Sequence, residues 1–459
     1  MPPWLSDKHN EMTTRPVPRL VVSLAVPSII SMMVTALYNV VDALFVGHLS
    51  TEATAAIGVS FAYMTFIQAM GFFFGHGSGN YISRALGARQ VDNAVHMASV
   101  GFFTPLIIGA TTGLAGLIWL PQLVSLLGAT PCVAPHACQY LSCILIASPF
   151  MMSGFTLNNQ LRLQGNARIG MVGIASGAVL NIALDALFIV ALDMGIRGAS
   201  MATAISQFCS WLMLLWGTTR PAAIHISLKA FRPDLRSYKE IVMGGTPSLF
   251  RQAFNCLASI MLNYAAARWA LPGQEASAVA AFAVVTRTMN FAFSFTLGID
   301  QGFQPVCGFN YGAKKYGRVL QSYTYALTLS TSFLLLFAII GYIWAPDIIR
   351  LFRDEDPLLI AIGTRAMRWQ CVSFPMIGLS TATNMLFQNI RMPFHSTLIS
   401  IGRQGLFFIP AILLLPPQLG LHGVEVTQAV ADACTFLLTI PFALRIVSRL
   451  KAQEAESKP

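Results

Sequence analysis

The chain has 459 residues, of which 55% are hydrophobic and only 10% are Asp, Glu, Lys or Arg, with a formal net charge of +10. An ordinary soluble domain carries about 25% charged residues, so this composition excludes a soluble globular protein of the same length. No Walker A, HExxH or GxSxG pattern is present, which removes the motifs for nucleotide hydrolysis, zinc proteolysis and serine hydrolysis.

The first nineteen residues are polar and contain prolines, and they read as an N-terminal tail (1–19), not as a cleavable signal. Twelve apolar stretches follow, at 20–47, 54–82, 94–120, 136–160, 169–192, 198–219, 240–267, 277–308, 319–345, 358–388, 395–415 and 422–444. Each is long enough to cross roughly 30 Å of hydrocarbon as a helix.

The first stretch carries Pro27, which removes one helical hydrogen bond and permits a kink. Asp42 lies about 22 Å further along the same helix. Thr35, Tyr38 and Asn39 share a face with Asp42 at helical spacing. An Asp near the middle of a membrane costs about 2.5–3.5 kcal/mol on insertion scales, so function is expected of it. The alternating glycines of "GHGSGN" (75–80) in the second stretch read as close helix packing. Cys132 and Cys138 fall near one outer loop, and no pair of the eight cysteines forms a CxxC. Tyr140 and Asn158 add polar atoms to the fourth stretch, Asn181 and Asp185 make a polar face on the fifth, and Thr203 adds a hydroxyl on the sixth.

The stretch "RPAAIHISLKAFRPDLRSYK" (220–239) is the most basic loop and the natural midpoint linker. Beyond it Arg251 is expected to snorkel to the near interface. Arg287 and Asp300 on the eighth stretch are some 20 Å apart and should not pair. Asp300 is either a second titrating site or a local feature of the helix end. Arg403 on the eleventh stretch and Asp432 on the twelfth are placed to pair. Phe61, Tyr63, Phe254, Met261, Phe291 and Phe295 supply material for an apolar cavity wall.

The two sides of the linker match. "LGAR" (86–89) is echoed by "YGAK" (311–314), and "GIRGA" (195–199) by "GLHGV" (420–424), both at an offset of 225 residues. Pro149 and Asn158 correspond to Pro375 and Asn384. The expected fold is thus an all-α integral membrane protein, with twelve transmembrane helices in two six-helix bundles related by a pseudo-two-fold axis along the membrane normal. The lobes run over 20–219 and 240–444, with a short tail at 445–459. Of the 29 Lys and Arg, twenty fall in the tails and loops on the side of the N-terminus and four on the other, so both ends are expected in the cytoplasm of a bacterial inner membrane. The basic pI follows from this topology and requires no nucleic-acid partner.

The doubled plan, Pro27 and Asp42, "SRALGARQVDNA" after the second span and "GIDQGFQPVCGFNYGAKKY" (298–316) resemble the multidrug and toxic compound extrusion (MATE) transporters over residues 15–445. "LNIALD" (180–185) with Asp42 resembles the DinF-like branch, which includes MepA-like exporters. The resemblance implies export of amphipathic, mainly cationic organic compounds in exchange for a cation, by alternating access and without enzymatic activity. It also implies a proton or cation site at Asp42, Asn181, Asp185 and Thr203, which the polar residues read directly from the sequence, Tyr38, Asn39, Tyr140 and Asn158, are expected to support. Oxygen ligands without His or Cys suit H⁺ or Na⁺ and no transition metal. Two neighbouring acids in a low dielectric do not both ionise cheaply, so one is expected to take up a proton near neutral pH. The arginines of the second half argue against a purely cationic substrate, and Arg287, Asp300, Arg403 and Asp432 form a candidate polar site there. No cofactor is expected beyond the coupling ion, and the chain should act as a monomer in lipid. A flippase for a lipid-linked envelope precursor is the alternative function.

Overall fold

The structure is a computed structural model that describes residues 3–47, 51–221, 223–352 and 356–457; the side chains of 3–5, 39–47, 51 and 457 lie outside that description. Asp42 and Asn39 are therefore placed by their helix alone.

In the N-terminal half α1 (Pro3–Thr14) precedes α2 (Val17–Gly47), α3 (Thr51–Gly87), α4 (Val91–Ile118), α5 (Leu120–Leu126), α6 (Ala134–Leu163), α7 (Ala167–Asp185) and α8 (Gly195–Thr218), with a π-helical turn at Ala186–Ala191. The C-terminal half follows as α9 (Leu235–Trp269), α10 (Glu275–Gly312), α11 (Tyr316–Ile343), α12 (Ala345–Arg350), α13 (Pro357–Asn389), α14 (Pro393–Ile401), α15 (Phe408–Leu414), α16 (Pro416–Leu419) and α17 (Leu421–Ser457), with a second π-helical turn at Gly402–Leu406. Every expected span is found as a helix, the eleventh as α14, the π turn and α15 in series. Among the described residues, ten helices are long and apolar enough to cross a membrane on composition alone. The other two spans, α9 and α13, are long but carry Arg251 and Arg268, and Arg365 and Arg368.

Three expectations change at the ends of the lobes. The N-terminal segment is a docked helix, not a free tail. Lys8 Nζ donates to Gly165 O (2.8 Å) and to Asn166 Oδ1 (3.2 Å) of the first half. Asn310 Nδ2 donates to Met12 O (3.1 Å), and Lys315 Nζ to Thr13 O (3.0 Å), from the second half. The linker ends early, because Asp234 accepts from the Ser237 amide and starts α9 inside 220–239. The C-terminal tail is helical to Ser457, and its Ile446 and Leu450 are buried in the core.

The contacts between halves obey the doubled plan: the first span of each packs against the second span of the other, α2 on α10 and α3 on α9. Gly298 and Gly302 of α10 let the backbone of α2 approach at Ile29 and Ala25, where a Cβ on Gly298 would come within 2.7 Å of Ile29 Cα. On the side of the termini one apolar core runs through both halves, with Val21 and Leu86 against Phe303, Val306 and Phe309. Towards the other side the cores separate. One, around Tyr140, Ile144 and Ile189, belongs to the first half, and another, around Phe282, Leu334 and Phe408, belongs to the second. The lobes thus form a V that is closed at the end holding α1. Towards the open end the seam is bridged by Gln252 Nε2, which donates to Gln68 Oε1 (2.8 Å), and by Gln301 Nε2, which lies 3.8 Å from Met32 Sδ.

Candidate functional site

In the first lobe α7 ends at Asp185, fully buried, with Asn181 one turn earlier and 1% exposed; Thr203 of α8 is also 1% exposed. The Asn181 amide and the Thr203 hydroxyl find no hydrogen-bond partner among the described residues. Buried polar atoms without partners are expensive, so these call for an explanation. The π turn begins directly after Asp185, a distortion that is common at functional sites. α2, the helix of Asp42, packs along α7.

The expected supporting residues divide. Tyr38 and Thr35 are half-buried on α2, and the Thr35 hydroxyl donates to Ser31 O of its own helix (2.8 Å). Tyr140 is buried in the apolar core of this lobe with its hydroxyl 3.6 Å from Met64 Sδ. Asn158 is not brought to the acid: its Oδ1 packs against Gly170, eleven residues before Asn181 and about 16 Å away along α7. Phe61, Phe254 and Phe291 are partly or largely exposed on the seam helices, whereas Tyr63 is buried. All eight cysteines are free thiols, Cys132 and Cys138 included.

Between the lobes lies a polar lock that sequence reasoning missed. Arg162 is buried at the end of α6, where the sequence suggested a loop residue. Its Nη1 donates to Gln301 O (2.8 Å) and Gln304 Oε1 (2.7 Å) of α10, and its Nη2 to Asn159 Oδ1 (2.7 Å). Nη2 also lies 3.3 Å from His76 Nε2. A guanidinium only donates, so His76 Nε2 accepts and the ring proton sits on Nδ1, which donates across the seam to Ser248 Oγ of α9 (3.0 Å). Gln388 Nε2 donates to the same Ser248 oxygen (3.0 Å). Nearer the termini, Arg84 of α3 donates to Asn389 O (2.8 Å) and faces Glu240 of α9 (3.4 Å), which Arg391 closes from the other side. The signal for the lock was His76, a lone histidine among the glycines of a membrane helix.

In the second lobe Arg403 Nε donates to Asp432 Oδ1 at 2.8 Å, the expected pair. Gln428 (3.0 Å) and Ser373 (3.3 Å) also donate to that carboxylate. Asp300 is fully buried and accepts from Ser330 Oγ (3.2 Å). Arg251 is half-buried near the middle of α9. Arg287 is exposed on α10. These four residues therefore form no single cluster. Near the open end Arg365 and His422 both bond to Glu425, a network the sequence did not suggest.

The family model MatE matches residues 27–187 and 247–413. The chain is 24% identical over 435 residues to the multidrug export protein MepA of Staphylococcus haemolyticus, covering 94% of both chains. Among solved structures, a multidrug resistance MATE family transporter of the MOP superfamily in its outward-facing conformation aligns with a TM-score of 0.89 and 25% identity, over 96% of this chain and 98% of that one. A MATE structure in the bent conformation aligns at 0.87 and 26% identity, over 96% of this chain and all of that one.

Proposed function

Because this chain belongs to the MatE family, we propose that it is a multidrug exporter of the bacterial inner membrane, driven by inward movement of H⁺ or Na⁺ through the first lobe. The observation that carries the coupling is the buried set of Asp185, Asn181 and Thr203 beside the helix of Asp42, with an amide and a hydroxyl that no described residue satisfies. Two acids and neutral oxygens hold a proton or a hard monovalent cation, and the same acids attract the cationic part of an amphiphile.

Both ligands then compete for one site, which is the basis of exchange. Loading the acids with H⁺ or Na⁺ removes their attraction for substrate while the lobes are open to the outside. The closed end carries α1 and most of the Lys and Arg, so the V corresponds to the outward-open state. Pro27 lies between Ala25 and Ile29, the two α2 residues that touch the glycines of α10. A change of bend there alters the seam itself, and so links the acid site to the closure of the lobes.

The test is a titration of purified protein in nanodiscs carrying a fluorescent lipophilic cation. Acidification or added Na⁺ should release the dye from wild type. Asp185→Asn should bind it at least tenfold more weakly and lose the dependence on the releasing ion. Dye release that is unchanged in this variant would remove the first lobe from the mechanism.

A further inference from the structure

We infer that the second lobe holds a binding site for organic carboxylates, formed by the free side of the Arg403 guanidinium and the carboxamides around it. This rests on the export function proposed above and makes amphiphiles that carry an anionic as well as a cationic group its preferred substrates, ahead of plain lipophilic cations.

The Arg403–Asp432 pair is asymmetric. The Asp432 carboxylate accepts from Arg403, Gln428 and Ser373, so its lone pairs are well used. Arg403 uses only Nε for that bond, and its planar group stacks 4.8 Å over the ring of Phe293. Nη1 and Nη2 make no hydrogen bond among the described residues. An ion pair that served only to hold two helices together would gain by closing both sides, because a buried pair that is half-satisfied is a poor source of stability.

The open side faces a cavity of about 50 Å³, lined by Arg403 with Asn255, Asn290, Gln370, Gln404 and Gln428. That is room for a carboxylate group or a few water molecules. No Asp or Glu lines the cavity, and its amides supply further N–H donors. A metal ion is disfavoured beside a guanidinium, whereas a carboxylate fits the two-pronged donor set of Arg. Asn255 and Asn290 are exposed and form the mouth. Arg287, one turn from Asn290 on α10 and also exposed, adds positive charge on the same helix as the mouth. Met289, Leu262 and Phe408 give the apolar part of the lining. The polarity of this lobe is thus opposite to that of the acidic first lobe, and a molecule with an amine at one end and a carboxylate at the other matches both.

Rhodamine B, a zwitterion with one carboxylate, and its ethyl ester, a cation with the same rings, isolate that group. Binding of each is measured by fluorescence anisotropy with full-length protein in nanodiscs, and export of each in vesicles. Wild type should prefer rhodamine B. Arg403→Gln should weaken rhodamine B at least tenfold and the ester less than threefold, with Arg403→Lys in between. Since Arg403→Gln leaves Asp432 buried without its cation, the neutral double variant Arg403→Gln/Asp432→Asn is measured beside it and should also lose the preference. Equal affinity of wild type for the two dyes, or a wild-type preference in the double variant, would overturn the site. Arg403-dependent binding of rhodamine B without export of either dye would leave the site standing and overturn the export reading.

Discussion

At His9, burial and neighbouring charge act in the same direction. Nε2 donates to Gly87 O (3.1 Å), while Nδ1 is buried with no partner among the described residues. Protonation would place a second N–H against no acceptor. Burial, with Arg89 and Lys315 adding to it and the Gly87 bond opposing, holds the His9 pKa below its ordinary 6.5. The sign follows: docking of α1 is undiminished above pH 6.5 and weakens as the pH falls below it, because the undocked ring binds the proton first. Hydrogen exchange in residues 3–14, corrected for intrinsic rates, should rise at pH 5.5 relative to pH 7.5 in wild type. His9→Gln should remove that difference, and equal protection at both pH values in wild type would refute it. Arg162 belongs to the same scale. Removing a guanidinium that serves three side chains and a carbonyl leaves buried acceptors unmet, at about 1–3 kcal/mol for each. Arg162→Met should therefore lower the population of the closed seam at least tenfold, read as a longer spin-label distance between Ala88→Cys and Ala313→Cys. An unchanged distance distribution would show that the lock does not hold the lobes.

The helices themselves were largely legible in the sequence. Twelve apolar runs became twelve spans because the bilayer permits few other solutions for a backbone that must satisfy its own hydrogen bonds. The misjudged segments are those whose partners are distant in sequence. α1 looks like a polar tail because its partners are distant in sequence: Gly165 after α6, Asn310 near the end of α10, and Lys315 in the turn that follows α10. Arg84 and Arg162 look like loop charges because only the seam buries them. The Arg403–Asp432 pair was readable from two lone charges on neighbouring spans, but the cavity beside it was not, since it needs five helices in register. At this scale the seam gives two further tests. Gly302→Val places a branched side chain against the backbone of Ala25 and should lengthen the same 88–313 distance with the helices intact by circular dichroism. Pro27→Ala restores a helical hydrogen bond and stiffens α2. It should slow exchange several-fold while dye affinity stays within threefold, and full-speed exchange would make Pro27 a static kink.

Across the whole molecule, the lobes share one core at the closed end and keep separate cores at the open end. We propose that such a body moves by rocking about the seam rather than by melting, and that its two buried charged regions have different tasks. On the proposed reading the acids of the first lobe exchange substrate for a coupling ion, while the second lobe supplies recognition. The most direct test of this division is exchange in proteoliposomes loaded with a fluorescent lipophilic cation, under an imposed pH gradient and then an imposed Na⁺ gradient, for wild type, Asp42→Asn and Asp185→Asn. The account predicts dye movement driven by one of the two gradients and reduced at least a hundredfold in both variants. No dye movement under either gradient by correctly inserted wild type, or full movement in both variants, would contradict it.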